Sequence, residues 1–178
     1  MKYFLPAIVL LGLLFSCSGT QKSAASIAQL DALVRSKNLE IRSNWAAPML
    51  SRGVMAISNS GLLMPGSTAG RIDIIGNANF IKIQGDTLSA YLPYYGERQM
   101  GGGYARNSGI EFKGIPTTYE VTQNEPKKTY TIRFTISEST ENYQVFINIG
   151  TDLATTVSIN SSQRDAINYY GNARPIKE

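Results

Sequence analysis

Mainly β structure is the fold class this sequence predicts, and three observations carry it. From Leu39 onward apolar residues recur at every second position. The pattern is clearest in Tyr130, Ile132, Phe134 and Ile136 against Thr129, Thr131, Arg133 and Thr135, and it returns in Tyr143, Val145, Ile147 and Ile149. Between the runs stand turn-forming stretches: Gln84-Gly85-Asp86, Asn124-Glu125-Pro126-Lys127, Glu138 to Asn142 and Gly150-Thr151-Asp152. Links this short permit only antiparallel pairing, because a parallel crossover needs about a dozen residues. Alternation also leaves one face of each strand in water. The expected architecture is a single antiparallel β-sandwich or flattened barrel of about 8–10 strands with one N-terminal helix.

The chain opens on a targeting signal. Met1-Lys2-Tyr3 gives a positive start, and Phe4 to Phe15 follows without a charge. At ~1.5 Å per residue this run spans only ~18 Å as a helix, short of a ~30 Å hydrocarbon core, so it reads as a secretory h-region over residues 1–16. Leu14-Phe15-Ser16-Cys17 resembles the lipobox of bacterial lipoproteins. In that chemistry the thiol is alkylated by diacylglycerol before a peptidase cuts in front of it. Each buried CH₂ contributes ~0.8 kcal/mol, so two or three acyl chains hold almost permanently. Residues 17–26 are then a polar lipidated tether and residues 27–178 the β-rich domain. Ser18-Gly19-Thr20-Gln21-Lys22 carries no Asp or acidic run, which by resemblance to lipoprotein sorting patterns places the anchor at the outer membrane, facing the periplasm.

Ser26 is the expected cap of a helix reaching Ser36, with Ile27, Leu30, Leu33 and Val34 along one stripe. Leu39, Ile41 and Trp45 lie at strand spacing. Further strands are expected near Val54–Ser58, Arg71–Ile75, Phe80–Ile83, Leu88–Leu92, Ile110–Lys113, Thr118–Thr122, Ala154–Ile159 and Ala166–Tyr170. Two stretches break the pattern: Asn59 to Gly70, which surrounds Leu62-Leu63-Met64, and Pro93 to Asn107, which contains Gly101-Gly102-Gly103.

Composition excludes much of catalysis. The 178 residues hold 17 Lys and Arg, 13 Asp and Glu, one Cys and no His. Without His there is no Ser–His or Cys–His nucleophile pair and no His-bearing zinc site. One Cys permits neither an internal disulfide nor a thiolate cluster. No metal site and no cofactor is expected. The Gly triplet runs into Tyr104-Ala105-Arg106 rather than Gly-Lys-Ser/Thr, so it is no phosphate cradle. The cations are scattered, and nucleic acid is not an expected partner. Two carboxylates suffice for glycoside hydrolysis, and Glu97 with Glu111, flanking the Gly-rich loop, is the available pair.

Tyrosines gather near the loops. A rigid apolar ring with a hydroxyl suits glycan stacking or a protein interface. Tyr94, Tyr95, Tyr104 and Tyr169, with Arg106 beside them, form the expected binding surface. Asp86-Thr87-Leu88 resembles an O-glycosylation signal of some Gram-negative exported proteins, with Thr87 as the acceptor.

The order of several motifs resembles one family. These are Asn79-Phe80 to Asp86, Leu92-Pro93-Tyr94-Tyr95-Gly96, Gly109-Ile110-Glu111-Phe112, Tyr119-Glu120-Val121, Asn142-Tyr143 and Arg164-Asp165-Ala166-Ile167-Asn168-Tyr169-Tyr170-Gly171. Together they are similar to the domain-of-unknown-function 4251 family, small secreted lipoproteins of the Bacteroides group. The resemblance spans roughly Leu39 to Ala173 and departs at Glu97-Arg98-Gln99-Met100. It implies envelope location and fold, and it brings no catalytic residue. The expected function is a non-enzymatic binding or scaffolding module, membrane-held through Cys17, with an envelope protein or glycan as partner. The alternatives are a His-free carboxylate-dependent glycan hydrolase and a lipophilic-ligand-binding β-barrel.

Overall fold

A computed structural model of the chain describes residues 23–99 and 109–176, so Cys17, Tyr104 and Arg106 lie outside it. Ten strands form one antiparallel sheet: β1 (Asn38–Pro48), β2 (Ile72–Asp73), β3 (Phe80–Gln84), β4 (Thr87–Leu92), β5 (Ile110–Gly114), β6 (Thr118–Asn124), β7 (Thr129–Glu138), β8 (Glu141–Ile149), β9 (Ala154–Ser161) and β10 (Ile167–Pro175). Their order across the sheet is β5-β4-β3-β1-β10-β9-β8-β7-β6, with β2 paired to β1 beyond the end of β3.

The two outer members of this path, β5 and β6, are consecutive in the chain. Only Ile115-Pro116-Thr117 separates them, so one stretch of backbone passes from one margin of the sheet to the other and draws it into a curl. The Thr117 N–H donates to the Thr135 carbonyl at 2.8 Å, and Pro116 has no N–H to satisfy. Across the seam Phe112 of β5 meets Phe134 of β7 edge-on, with ring centroids 6.0 Å apart, and Tyr143 of β8 at 5.6 Å. The flattened-barrel expectation is realised as a curled half-barrel whose interior is one continuous core, including Ile41, Ile81, Phe112, Phe134, Ile147 and Tyr169.

Helix α1 (Ala24–Arg35) closes the curl with Leu30, Leu33 and Val34. Its cap is Ser23 rather than Ser26: the Ser23 hydroxyl accepts the Ala25 N–H at 3.2 Å. Two alanines, strong helix formers, carry the helix upstream into the stretch expected to be tether. Beyond its C-terminus the Lys37 carbonyl accepts the Gly85 N–H at 2.8 Å, and the ammonium lies 3.0 Å from Asp86 and 5.4 Å from the Tyr119 ring centre.

Two local expectations are overturned. The segment expected as a strand near Val54–Ser58 is a second helix, α2 (Arg52–Asn59). Its caps decide the matter. The Ser51 hydroxyl accepts the Val54 N–H at 3.3 Å, and the Glu97 carboxylate accepts the Gly53 N–H at 2.9 Å. Trp45 also does not share a face with Leu39 and Ile41. A bulge between Ser43 and Trp45 inserts a residue into β1 and reverses the alternation, so Ala46 and Pro48 turn inward and Trp45 outward. Elsewhere strand boundaries shift by a few residues, the largest change being β10, which runs on to Pro175.

Candidate functional site

Two segments distant in sequence interlock at the end of the curl opposite α1. The first is Leu92-Pro93-Tyr94-Tyr95-Gly96 with its continuation to Gln99, and the second is the β9–β10 connection with the start of β10. Backbone joins them: the Asp165 N–H donates to the Glu97 carbonyl at 3.2 Å, and the Gln99 N–H donates to the Gln163 carbonyl at 2.8 Å. Side chains complete the joint. The Tyr169 hydroxyl donates to the Pro93 carbonyl at 2.8 Å, and the Gln99 amide donates to the Asp165 carboxylate at 2.6 Å. The Tyr94 hydroxyl lies 3.0 Å from the Glu97 carbonyl oxygen and 3.1 Å from that of Asp165, so its one proton bridges both segments. Gly96 makes this possible, because a Cβ there would lie 2.5 Å from the Tyr94 hydroxyl oxygen.

An ion-pair cluster fixes the joint to the β7–β8 turn. Glu141 is 4 % exposed and Arg164 8 %. The guanidinium grips the carboxylate with two bonds, Nε–Oε1 at 2.8 Å and Nη2–Oε2 at 3.1 Å. Ser161 donates to Oε1, and Arg98 reaches Oε2 at 3.3 Å. Arg164 also stacks over the Tyr94 ring, 5.2 Å from its centre. Burial pushes the Glu141 carboxyl up, but the hydrogen bonds from Arg164 and Ser161 outweigh it and hold the group below its ordinary range. Burial pushes Tyr94 up to about 12, with the Asp165 charge adding to it, and raises Tyr143 and Tyr169 further. All three phenols therefore stay protonated at neutral pH.

Beside this cluster opens a cleft of about 750 Å³ between the β5 margin and the β7–β8 turn. Phe80, Tyr91, Phe112 and Tyr143 give it aromatic surface, and Arg98, Lys113, Glu111, Glu138, Glu141 and Arg164 line it with both signs of charge. The Lys113 N–H donates across the gap to the Glu138 carboxylate at 3.3 Å.

The expected site residues divide. Tyr169 is wholly buried and supplies no contact surface; it is part of the core. Tyr94 is half-buried, and its hydroxyl is committed to backbone. Half-buried Tyr95 faces a separate apolar recess of about 190 Å³ with Ile57, Leu63 and Ile72. Thr87 stands exposed at the β3–β4 turn. Glu97 and Glu111 are not brought together as a pair: Glu97 caps α2, where bonds from Ser51 and Gly53 lower its carboxyl, while Glu111 lines the cleft. Glu141 at the cleft is lowered rather than raised, and no cluster of His, Cys, Asp and Glu able to hold a metal occurs among the described residues. Glu141 escaped the sequence reading although a signal was present. It shares the inward alternation of Tyr143, Val145 and Ile147, where a charge demands a buried partner.

The curl is similar to the crystal structure of a DUF4251 family protein from Bacteroides eggerthii DSM 20697, with a TM-score of 0.57 and 13 % sequence identity over 85 % of this chain and 89 % of that one. At that identity the likeness bears on the fold. No curated protein matches the chain. The family described as domain of unknown function (DUF4251) matches residues 21–173, a span that holds both interlocked segments. The chain belongs to the DUF4251 family.

Proposed function

We propose that the protein is a non-enzymatic binding or scaffolding module of the bacterial cell envelope, held to the outer membrane by lipid on Cys17 and facing the periplasm. The observation that supports a holding role is the state of the charges at the cleft. Glu141 is gripped bidentately by Arg164, its carboxyl is lowered rather than raised, and the neighbouring phenols remain neutral. Fixed groups of this kind present a constant surface to a ligand, whereas acid–base catalysis needs a group poised near working pH. Tyr91, 46 % exposed, and Lys113 on the rim offer stacking and charge to an envelope protein or glycan. A lipid tether confines the encounter to a surface, so weak contacts suffice through raised effective concentration.

Metabolic labelling with an alkyne fatty acid, followed by in-cell crosslinking and pull-down, tests both parts. The wild-type chain takes up label and Cys17→Ser does not. The pair Tyr91→Ala with Lys113→Glu leaves labelling intact and reduces recovery of a crosslinked partner several-fold. A wild-type chain without label removes the anchor, and unchanged recovery removes the cleft.

A further inference from the structure

We infer a second binding site, on the convex face of the sheet and separate from the cleft, that takes a pyranose unit of a glycan against the outer ring face of Tyr170. The site begins with the outward Trp45, an orientation that several independent contacts enforce. The β1 bulge turns the side chain out, and the Asn79 side chain clamps the bulge by accepting the Ser43 N–H at 2.8 Å and donating to the Ser43 carbonyl at 3.0 Å. Opposite stands Gly171, where a Cβ would lie 1.9 Å from the Arg42 carbonyl oxygen, so only glycine allows β10 to approach the bulge.

Trp45 is then flanked on both sides. Its partner on β10, Tyr170, lies parallel to it with ring centroids 3.7 Å apart and an 8° interplanar angle. From the β2 side the Arg71 guanidinium sits 4.8 Å from the Trp45 ring centre. The next positions outward from Tyr170 along the same row are Thr156 on β9, Asn148 on β8 and Thr131 on β7. The step from an aromatic ring to a threonine leaves a groove of about 530 Å³, lined by Tyr170, Trp45, Asn44, Thr129, Thr156 and Asn148 among others. Asn148 is oriented within it: its side-chain oxygen accepts the Thr131 hydroxyl at 2.7 Å, which leaves its amide nitrogen to donate.

These groups suit a pyranose ring. The sugar's apolar C–H face stacks on a rigid aromatic ring, here held flat by Trp45, and its equatorial hydroxyls need both donors and acceptors, which amides and hydroxyls supply. Lys127 also lines the groove and no carboxylate stands among its described lining residues, so the arrangement offers a sugar stacking and hydrogen bonds without a carboxyl pair at its bonds. A cross-strand aromatic pair also stabilises a sheet, and the test must separate the two roles.

Trp45 is the only Trp in the chain, so its fluorescence reports on this site alone. The detergent-solubilised full chain is titrated with maltohexaose, cellohexaose and chitohexaose. At least one produces a saturable change in Trp45 emission at millimolar concentration or below. Thr156→Phe, which fills the groove and leaves the Trp45–Tyr170 stack in place, weakens that binding by roughly tenfold or more without lowering the melting temperature. Tyr170→Ala abolishes it. Absence of a saturable change with all three sugars overturns the inference, as does unchanged affinity in Thr156→Phe.

Discussion

Glu141 shows how one residue can set the character of a site. A carboxylate at an inward strand position is tolerated because Arg164, Ser161 and Arg98 converge on it, and removing it takes from the buried Arg164 guanidinium its bidentate carboxylate partner. Glu141→Gln is predicted to cost about 3 kcal/mol of stability at neutral pH, read by denaturant unfolding. The pH dependence has a definite sign. The folded-state carboxyl lies below its ordinary 4.5, so its stabilisation is fully present above that value and is lost as pH falls through the folded-state pKa. Glu40, lowered by Arg174 and Arg42 against the effect of burial, adds to the same loss. Melting temperatures between pH 7 and 3 should fall more steeply for the wild-type chain than for Glu141→Gln. Parallel curves would show that the ion pair does not govern acid stability.

At the scale of elements, helix α2 is where local pattern and tertiary context disagree. Val54-Met55-Ala56-Ile57-Ser58 carries no periodicity strong enough to choose helix over strand, and what chooses is a pair of oxygen acceptors, one of them 44 residues downstream. Glu97 thus serves as a helix cap, which the sequence reading had no means to see. Ser51→Ala should cost about 1 kcal/mol and speed amide hydrogen exchange within Arg52–Asn59 while leaving β7 and β8 unchanged. Unaltered exchange in the helix would contradict the capping account. The strands were far more legible, because period-two alternation and turn residues report burial directly; β7 and β8 could be read almost residue by residue. The bulge was not, since a single inserted residue at Ser43–Trp45 leaves no compositional mark, and with it went the facing of Trp45. Tyr169 is hard to place from sequence for a related reason. Neighbouring tyrosines look alike in sequence, and only the register of β10 separates the buried Tyr169 from the outward Tyr170.

For the whole molecule, the curl explains why the family-like motifs stand where they do. Leu92-Pro93-Tyr94-Tyr95-Gly96 and Arg164 to Gly171 look like separate signatures in the chain, yet they are two halves of one joint that fixes the end of the half-barrel beside the cleft. The β5–β6 link brings the margins of the sheet together at its other flank, so the cleft lies where the curl has closed along part of its length. A rim of mixed charge and aromatic rings, together with the lipid anchor proposed at Cys17, is the combination expected of a protein that holds a partner at a membrane surface. The most direct test places a photo-crosslinking amino acid at Tyr91 on the cleft rim and, as a control, at the comparably exposed Val121 on β6, in the full-length chain in living cells. If the cleft holds a partner, position 91 gives a discrete adduct that is absent from position 121 and weakened by Cys17→Ser. No adduct at position 91, or the same adducts from both positions, would contradict that role.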